Sequence, residues 1–262
     1  MSKAIYKPKG KAGEYAEWAC NLYVGCSNNC SYCYCKRGVL GHAMGAPEAT
    51  LKKCFKDEKD AAAVFAKELE KNLEELKKSS LFFTFSSDPM IPETIDLNLE
   101  CIRMAVNAGV KVQILTKNAE FIRHDLMKKI LIDANGIYRK NIAFGFTLTG
   151  RDDLEPGASS NAKRADAMAR VKLLGFRTFA SLEPVVDPVS TLSVFHQVED
   201  CCDLFKVGLQ SGVALSKYNR NEVEKMASII QTKGRNVYLK KSLTDYLGLP
   251  DQEPIDIFKI KL

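Results

Sequence analysis

Three cysteines, Cys26, Cys30 and Cys33, fall in the run Gly25-Cys26-Ser27-Asn28-Asn29-Cys30-Ser31-Tyr32-Cys33-Tyr34. This C-x3-C-x2-C spacing offers three thiolates to one iron–sulfur cluster and withholds a fourth. A 4Fe-4S cluster so held leaves one iron open to a small molecule, whereas an electron carrier normally closes its cluster with four cysteines. A zinc site competes for the same residues but asks for four ligands, usually in paired C-x2-C or Cys/His sets. Cys35 could supply a fourth from two residues beyond Cys33, yet no partner C-x2-C or H-x3-5-H occurs, and His42 is the one histidine near the run. Open cluster, closed electron-transfer cluster and zinc loop are therefore the three readings, and the first asks for no missing ligand.

Positioning such a loop needs a scaffold, and the chain supplies a repeating one. Apolar, β-branched or aromatic runs at 22–24, 81–85, 110–115, 142–148, 177–182, 204–207 and 237–239 alternate with helix-like segments. That alternation marks a parallel sheet with crossover helices, and continuous apolar runs suit strands buried on both faces. The clearest helix pattern covers 58–78, where Ala62, Phe65, Leu69, Leu73 and Leu76 recur at three and four residues opposite lysines and glutamates. Further helices are expected at 97–107, 121–133, 161–174, 191–199 and 221–232. Gly109, Gly175 and Gly234 follow helical runs, where a left-handed residue ends a helix.

Six or seven βα units predict an α/β fold, a partial or near-complete parallel (β/α) barrel. In such barrels chemistry gathers at the C-terminal ends of the strands. Polar residues occur at those places: Cys26 after the first strand, Ser86-Ser87-Asp88-Pro89 after the second and Thr116-Lys117-Asn118 after the third. Thr147-Leu148-Thr149 closes the fourth and Glu183-Pro184 the fifth. With 262 residues and 46% hydrophobic content, one domain over 1–262 is the simplest division, with an N-terminal extension at 1–18 and a C-terminal tail at 242–262.

The loop, with Tyr32 directly before its third cysteine, resembles the radical SAM superfamily. Longer stretches, Ile5 to Tyr15 and Asn21 to Cys26, resemble the opening of the relatives of spore photoproduct lyase, often labelled DNA-repair photolyase-like. Ser87-Asp88-Pro89, Leu115-Thr116-Lys117, Glu155-Pro156-Gly157-Ala158 and Ser181 to Pro188 follow in the same order. The resemblance implies a radical SAM-type barrel with a 4Fe-4S cluster on Cys26, Cys30 and Cys33. S-adenosylmethionine on the open iron would be cleaved reductively to a 5'-deoxyadenosyl radical that abstracts hydrogen from an unknown substrate. An electron donor such as flavodoxin or ferredoxin is implied. Tyr32 would pack at the adenine, Ser86 or Ser87 would contact the methionyl group, Lys117 would pair with its carboxylate, and Thr147 or Thr149 would add a hydroxyl.

Glu183, at a strand end, could bind a ribose hydroxyl or a substrate, or pair with Arg177. Glu155 and Arg164 are substrate-side candidates. Two features depart from spore photoproduct lyase: Phe83-Thr84-Phe85-Ser86 carries no thiol where that enzyme places its hydrogen-donating cysteine, and only 242–262 follow the last strand. Repair of thymine lesions is therefore not supported, since fold kinship does not carry substrate.

Nine cysteines point to metal or redox chemistry within a cell. Cys101, Cys201 and Cys202 read as core residues, while Cys20, Cys35 and Cys54 could support a second cluster. No apolar run approaches a membrane span and the first 11 residues are polar, so a cytoplasmic protein with no membrane partner is expected. A net charge of +6 is mildly basic, with lysines at 3, 7, 9 and 11 and again at 52, 53, 56 and 59. A nucleic-acid substrate for the same radical chemistry is one alternative, and a non-catalytic iron–sulfur or zinc protein is the other.

Overall fold

The computed structural model describes residues 4–133 and 136–261. Ten strands form, beginning with β1 (Ile5–Tyr6), β2 (Trp18–Cys20), β3 (Tyr23–Val24), β4 (Thr50–Leu51) and β5 (Ser80–Phe83). They continue with β6 (Lys111–Thr116), β7 (Ile142–Thr147), β8 (Arg177–Val185), β9 (Leu204–Leu209) and β10 (Val237–Leu239). The helices are α1 (Gly38–Met44), α2 (Glu58–Lys71), α3 (Leu73–Lys78), α4 (Ile95–Asn107) and α5 (Asp125–Leu131). After them come α6 (Ile137–Asn141), α7 (Asn161–Leu173), α8 (Pro188–Val198), α9 (Arg220–Lys233) and α10 (Lys241–Leu247).

Eight strands make one sheet in the order β1-β2-β5-β6-β7-β8-β9-β10. From β2 onward every neighbouring pair is parallel, and β1 joins β2 antiparallel. Each of the seven parallel strands is followed by at least one helix, so the expected barrel of six or seven βα units is what forms, open between β10 and the β1 edge.

The first barrel strand differs from its expected position. It is β2, whereas the expected run at 22–24 forms β3, which pairs antiparallel with β4 in a separate two-stranded ribbon. Trp18-Ala19-Cys20 has the less β-branched pattern, so burial between neighbours rather than propensity selects it. The expected helix at 58–78 breaks at Asn72, whose side-chain amide donates to the Glu68 carbonyl at 2.7 Å. The 121–133 segment divides into a 3-10 turn, Glu120–Arg123, and α5. Gly109 and Gly175 are left-handed as expected, but Gly234 has φ −70° and ends α9 with extended backbone.

Side-chain alternation along the strands separates two apolar regions. Outward residues such as Leu81, Ile114, Phe144, Leu182 and Val207 pack beneath the helices in the larger core. Inward residues Ala19, Phe82, Ala143, Phe179, Leu204 and Tyr238 fill the lumen together with Tyr15 from the N-terminal arm and Ile257 and Phe258 from the C-terminal segment. The Phe179 ring lies over Gly145, where an added Cβ would stand 2.1 Å from its Cζ, so the lumen is filled by alternating large and absent side chains. Arg177, at the start of β8, donates to the carbonyls of Ile257 and Ile260 at 3.1 and 3.0 Å. The C-terminal segment therefore plugs the N-terminal end of the barrel.

The opposite end stays polar. Lys206, inward from β9, is fully buried beneath Tyr15 and donates to the carbonyls of Glu14 and Tyr15, both at 3.2 Å. Burial, and then the nearby Lys240 charge, pulls its ammonium down to about 7. The unfolded chain holds this proton to a higher pH, so unfolding takes up a proton between about pH 7 and the ordinary lysine range, and stability rises with pH across that window. Denaturant melts of the parent and Lys206→Met across that range should show the parent's stability gaining on the variant's as pH rises; parallel curves would contradict a depressed Lys206.

Candidate active site

The cysteine loop leaves the β3–β4 ribbon and lies across the C-terminal mouth of the barrel. Gly25 makes the entry turn with φ +80°, and an added Cβ would stand 2.1 Å from the Glu48 carbonyl oxygen, so both conformation and space demand glycine there. The Cys26 N–H then donates to the Ala46 carbonyl at 3.1 Å. Farther along, Ser31 N–H donates to the Leu154 carbonyl at 2.9 Å, and Gly157 N–H donates to the Asn28 carbonyl at 3.1 Å. The loop is thereby clamped between the ribbon and the segment that follows β7.

Cys26, Cys30, Cys33 and Cys35 all line one cavity of about 540 Å³ at this mouth. The same walls carry Tyr32, Ser86, Ser87, Asp88, Lys117, Thr147 and Glu183, so the structure brings together all but one of the cofactor-side residues expected from sequence. The exception is Thr149, which is fully buried and accepts from Arg151 N–H at 3.2 Å through its hydroxyl. Thr147, the last residue of β7, lines the cavity, whereas Thr149 lies past the strand's end, its N–H held by Asn161 Oδ1 at 2.9 Å.

Individual environments distinguish the candidates further. The Ser86 hydroxyl donates to the Tyr23 carbonyl at 2.6 Å, whereas the buried Ser87 hydroxyl has no hydrogen-bond partner. Lys117 is half-buried, not a solvated loop lysine, and its ammonium lies 5.6 Å from the Tyr32 ring centroid. Glu183 accepts from Tyr15 Oη at 2.8 Å and from Lys240 Nζ at 2.5 Å, while Tyr15 Oη also lies 2.7 Å from Ser181 Oγ. The expected Glu183–Arg177 pair does not form, because Arg177 faces the opposite end of the lumen and is engaged by the C-terminal plug.

Glu155 and Arg164 are not substrate-side residues. Both are buried outside the cavity wall, and the Arg164 guanidinium bonds Glu155 Oε2 while donating to the Thr147 carbonyl at 2.6 Å. The Tyr32 hydroxyl donates to Glu155 Oε1. The buried Glu155–Arg164 pair thereby fixes the Tyr32 ring at the cavity wall, a positioning role that residue type alone does not separate from substrate contact.

The residue that sequence reasoning undervalued is Asp88. Its carboxylate is buried and accepts from Asn28 Nδ2 at 2.8 Å, Met90 N–H at 2.9 Å, Thr116 Oγ1 at 2.7 Å and Lys117 N–H at 2.7 Å. One acidic group thus joins the cysteine loop to the ends of β5 and β6. Its sequence signal was the Asp-Pro pair after a strand, which ordinary turns share.

The thiols differ in acidity. Burial, and then the Asp88 charge, pushes Cys26 up to about 12, and burial also raises Cys30. Cys33 is lowered to about 6, first by its hydrogen bond with Cys35, whose own thiol is raised by the same bond. The Lys117 charge favours the thiolate at each of Cys26, Cys30 and Cys33. Among the described residues no three His, Cys, Asp or Glu side chains gather as a single metal ion would need. Of the other cysteines, Cys20, Cys101 and Cys202 are buried and Cys54 is exposed, none of them in the cavity wall.

No known family profile matches the chain. The uncharacterized protein MJ0683 of Methanocaldococcus jannaschii is 26% identical over 183 residues, which are 65% of this chain and 61% of that protein. The structure of Streptococcus suis SuiB bound to S-adenosylmethionine superposes with a TM-score of 0.50 at 16% identity, covering 72% of this chain and 47% of SuiB. SuiB bound to its precursor peptide SuiA gives 0.51 at 16%, covering 70% and 44%. These likenesses establish a shared fold, and this chain spans less than two thirds of each of these proteins.

Removing the charge of Glu155 while keeping its shape should expose the cost of breaking the buried pair. Glu155→Gln leaves the Arg164 guanidinium with the more distant, partly exposed Asp152 carboxylate at 3.6 Å as its counter-charge, a loss of about 3 kcal/mol, the lower end for a broken buried pair. Denaturant unfolding measures it; a change below about 1 kcal/mol would show that the pair is not held as described.

Proposed function

We propose that this protein is a radical SAM enzyme, with a 4Fe-4S cluster on Cys26, Cys30 and Cys33 and S-adenosylmethionine at the iron they leave open. The supporting observation is that these three thiols share one cavity wall, at the C-terminal end of an open parallel barrel, with a half-buried lysine and an unpartnered serine hydroxyl. When bound, the pair supplies reductive cleavage of the sulfonium and a 5'-deoxyadenosyl radical able to take hydrogen from a substrate. The donor set fits: soft thiolates suit iron–sulfur coordination, and a cubane spreads its thiolates over separate irons where a zinc ion would draw four ligands to one point.

The remaining roles follow from placement. Lys117 presents a compact positive charge for the methionyl carboxylate, and its position is set by the backbone bond from its own N–H to Asp88. Ser87 is the better of the two serines for the methionyl group, since Ser86 is already bonded to backbone. Tyr32, held by Glu155, offers its ring to the adenine, and the inward-facing Thr147 is the hydroxyl within reach where Thr149 is not. One Glu183 oxygen takes both Tyr15 and Lys240, which leaves the other for a ribose or substrate hydroxyl. Phe82, Phe85 and Tyr15 give the cavity an apolar floor that excludes water from a reactive radical.

The kinship with spore photoproduct lyase rests on the sequence segments alone, and the substrate of that enzyme is not carried over. Anaerobic reconstitution with iron and sulfide, then dithionite and S-adenosylmethionine, should yield 5'-deoxyadenosine by mass spectrometry. Cys30→Ala should abolish both the brown colour and the product while the far-ultraviolet dichroism of the barrel is unchanged. An assembled cluster that cleaves no S-adenosylmethionine, or a Cys30→Ala protein that retains its iron, would contradict the proposal.

A further inference from the structure

The cavity divides along the strand order. The ends of β5, β6 and β7 with the cysteine loop form one half, and the ends of β8, β9 and β10 with the N-terminal arm form the other. If the first half holds the cluster and S-adenosylmethionine, the second is left for the substrate, and its charges describe what that substrate carries.

Five lysines line the whole cavity, at 9, 11, 36, 117 and 240, against two carboxylates, Asp88 and Glu183. Asp88 is satisfied by four donors and Glu183 is paired with Lys240. Lys117 is assigned to the cofactor carboxylate. Lys9 and Lys11 of the arm remain, with Lys36 facing them from the end of the cysteine loop, and among the described residues none of the three has a carboxylate within 4.0 Å. Lys11 bonds only the neutral Ser211 hydroxyl at 2.9 Å, and Lys36 bonds the Asn29 side-chain oxygen. Arg37 adds a fourth cation beside them, bonded to the Ser211 carbonyl and likewise without an acidic partner among the described residues.

The basic sequence runs are thus sorted by their surroundings. Lys7 is neutralised by Glu75 at 2.7 Å and Glu17 at 3.4 Å. The lysines at 53, 56 and 59 are exposed and lie outside the cavity wall. Within these runs it is Lys9 and Lys11 that line the cavity.

We infer that the substrate is a phosphate-bearing molecule whose phosphoryl group is taken at the cavity mouth by Lys9, Lys11 and Lys36. A single carboxylate would be neutralised by one ammonium, whereas a phosphate monoester carries about −1.5 to −2 near neutral pH and a strand one charge at each successive phosphate, and either accepts from several lysines at once. Lys9 and Lys11 belong to an arm that is fixed in place. Glu14, three residues after Lys11, accepts from Lys241 N–H at 2.9 Å and Tyr238 Oη at 3.2 Å and pairs with Lys240 at 3.2 Å. These bonds fasten the arm across the open seam of the barrel, so the lysines are presented on a built wall and not on a free terminus. Calling this ligand a substrate, and reserving Lys117 for the cofactor, rest on the radical reading; the phosphate site itself rests on the three lysines.

Binding of three probes to the reconstituted protein tests it: adenosine monophosphate, a short single-stranded oligonucleotide, and an oligoglutamate peptide, each at low and high salt. At least one phosphate probe should bind, weaken as salt rises, and lose about tenfold or more in affinity in Lys9→Gln/Lys11→Gln/Lys36→Gln. Lys53→Gln/Lys56→Gln/Lys59→Gln, with the same change in net charge, should bind as the parent does. Mononucleotide binding without oligonucleotide binding assigns a free phosphate ester, and the reverse assigns a phosphodiester strand; both support the inference. Equal affinity for oligoglutamate, no phosphate binding even at low salt, or equal losses in both triple variants would overturn it. A protein that cleaves S-adenosylmethionine yet binds no phosphate probe sinks this inference alone, and one that binds phosphate yet cleaves none sinks the radical reading alone.

Discussion

The Asp88 carboxylate is the point at which three separately folded pieces become one site. A buried carboxylate is tolerable only when donors surround it, and its four donors come from the cysteine loop, the turn after β5 and the end of β6. The requirement that each of those donors be present fixes where Asn28, and with it the loop between Cys26 and Cys30, can lie relative to Lys117. The Glu155–Arg164–Tyr32 triad does the same on the other side of the loop, tying it to β7. The cysteines are short side chains on a loop that has little regular structure of its own. Their placement is therefore set by polar contacts outside them.

The barrel beneath is asymmetric in a way that suits this arrangement. Its lower lumen is closed by Ile257 and Phe258 and packed with aromatic rings, so no space remains there for a ligand. Its upper lumen holds the buried Lys206 and Lys240 with the half-buried Glu183 and Glu14, ionisable groups that a polar network makes tolerable there. Tyr15 sits at the boundary, with its ring in the apolar floor and its hydroxyl in the network. An open barrel needs something across its seam, and here the N-terminal arm both spans the seam and forms part of the cavity wall.

Much of this was legible in the sequence because period and punctuation are local signals. Seven alternations of strand and helix gave the architecture, and the three-cysteine spacing marked the loop. What was not legible depended on contacts distant in sequence. Trp18-Ala19-Cys20 became the first barrel strand through burial against β5, while the more strand-like Tyr23-Val24 was drawn into a side ribbon. Thr147 and Thr149 look equivalent in sequence and two residues along a strand would share a face, but β7 ends at Thr147, and the turn after it ties Thr149 to Asn161 and Arg151 away from the cavity. Glu155 and Arg164 read as reactive polar residues until their mutual burial showed them to be supports. Lys7 and Lys11 are four residues apart with the same chemistry, yet only one faces acidic partners.

The central claim is that three protein thiolates leave one iron free for S-adenosylmethionine. Electron–nuclear double resonance of the reduced, reconstituted protein with S-adenosylmethionine labelled by nitrogen-15 at its amino group tests that contact directly. The account predicts a coupling between the cluster spin and the label, present in both the parent and Cys35→Ser. An assembled cluster that shows no coupling in the parent but gains it in Cys35→Ser would mean that Cys35 closes the cluster, and the open-iron account would be wrong.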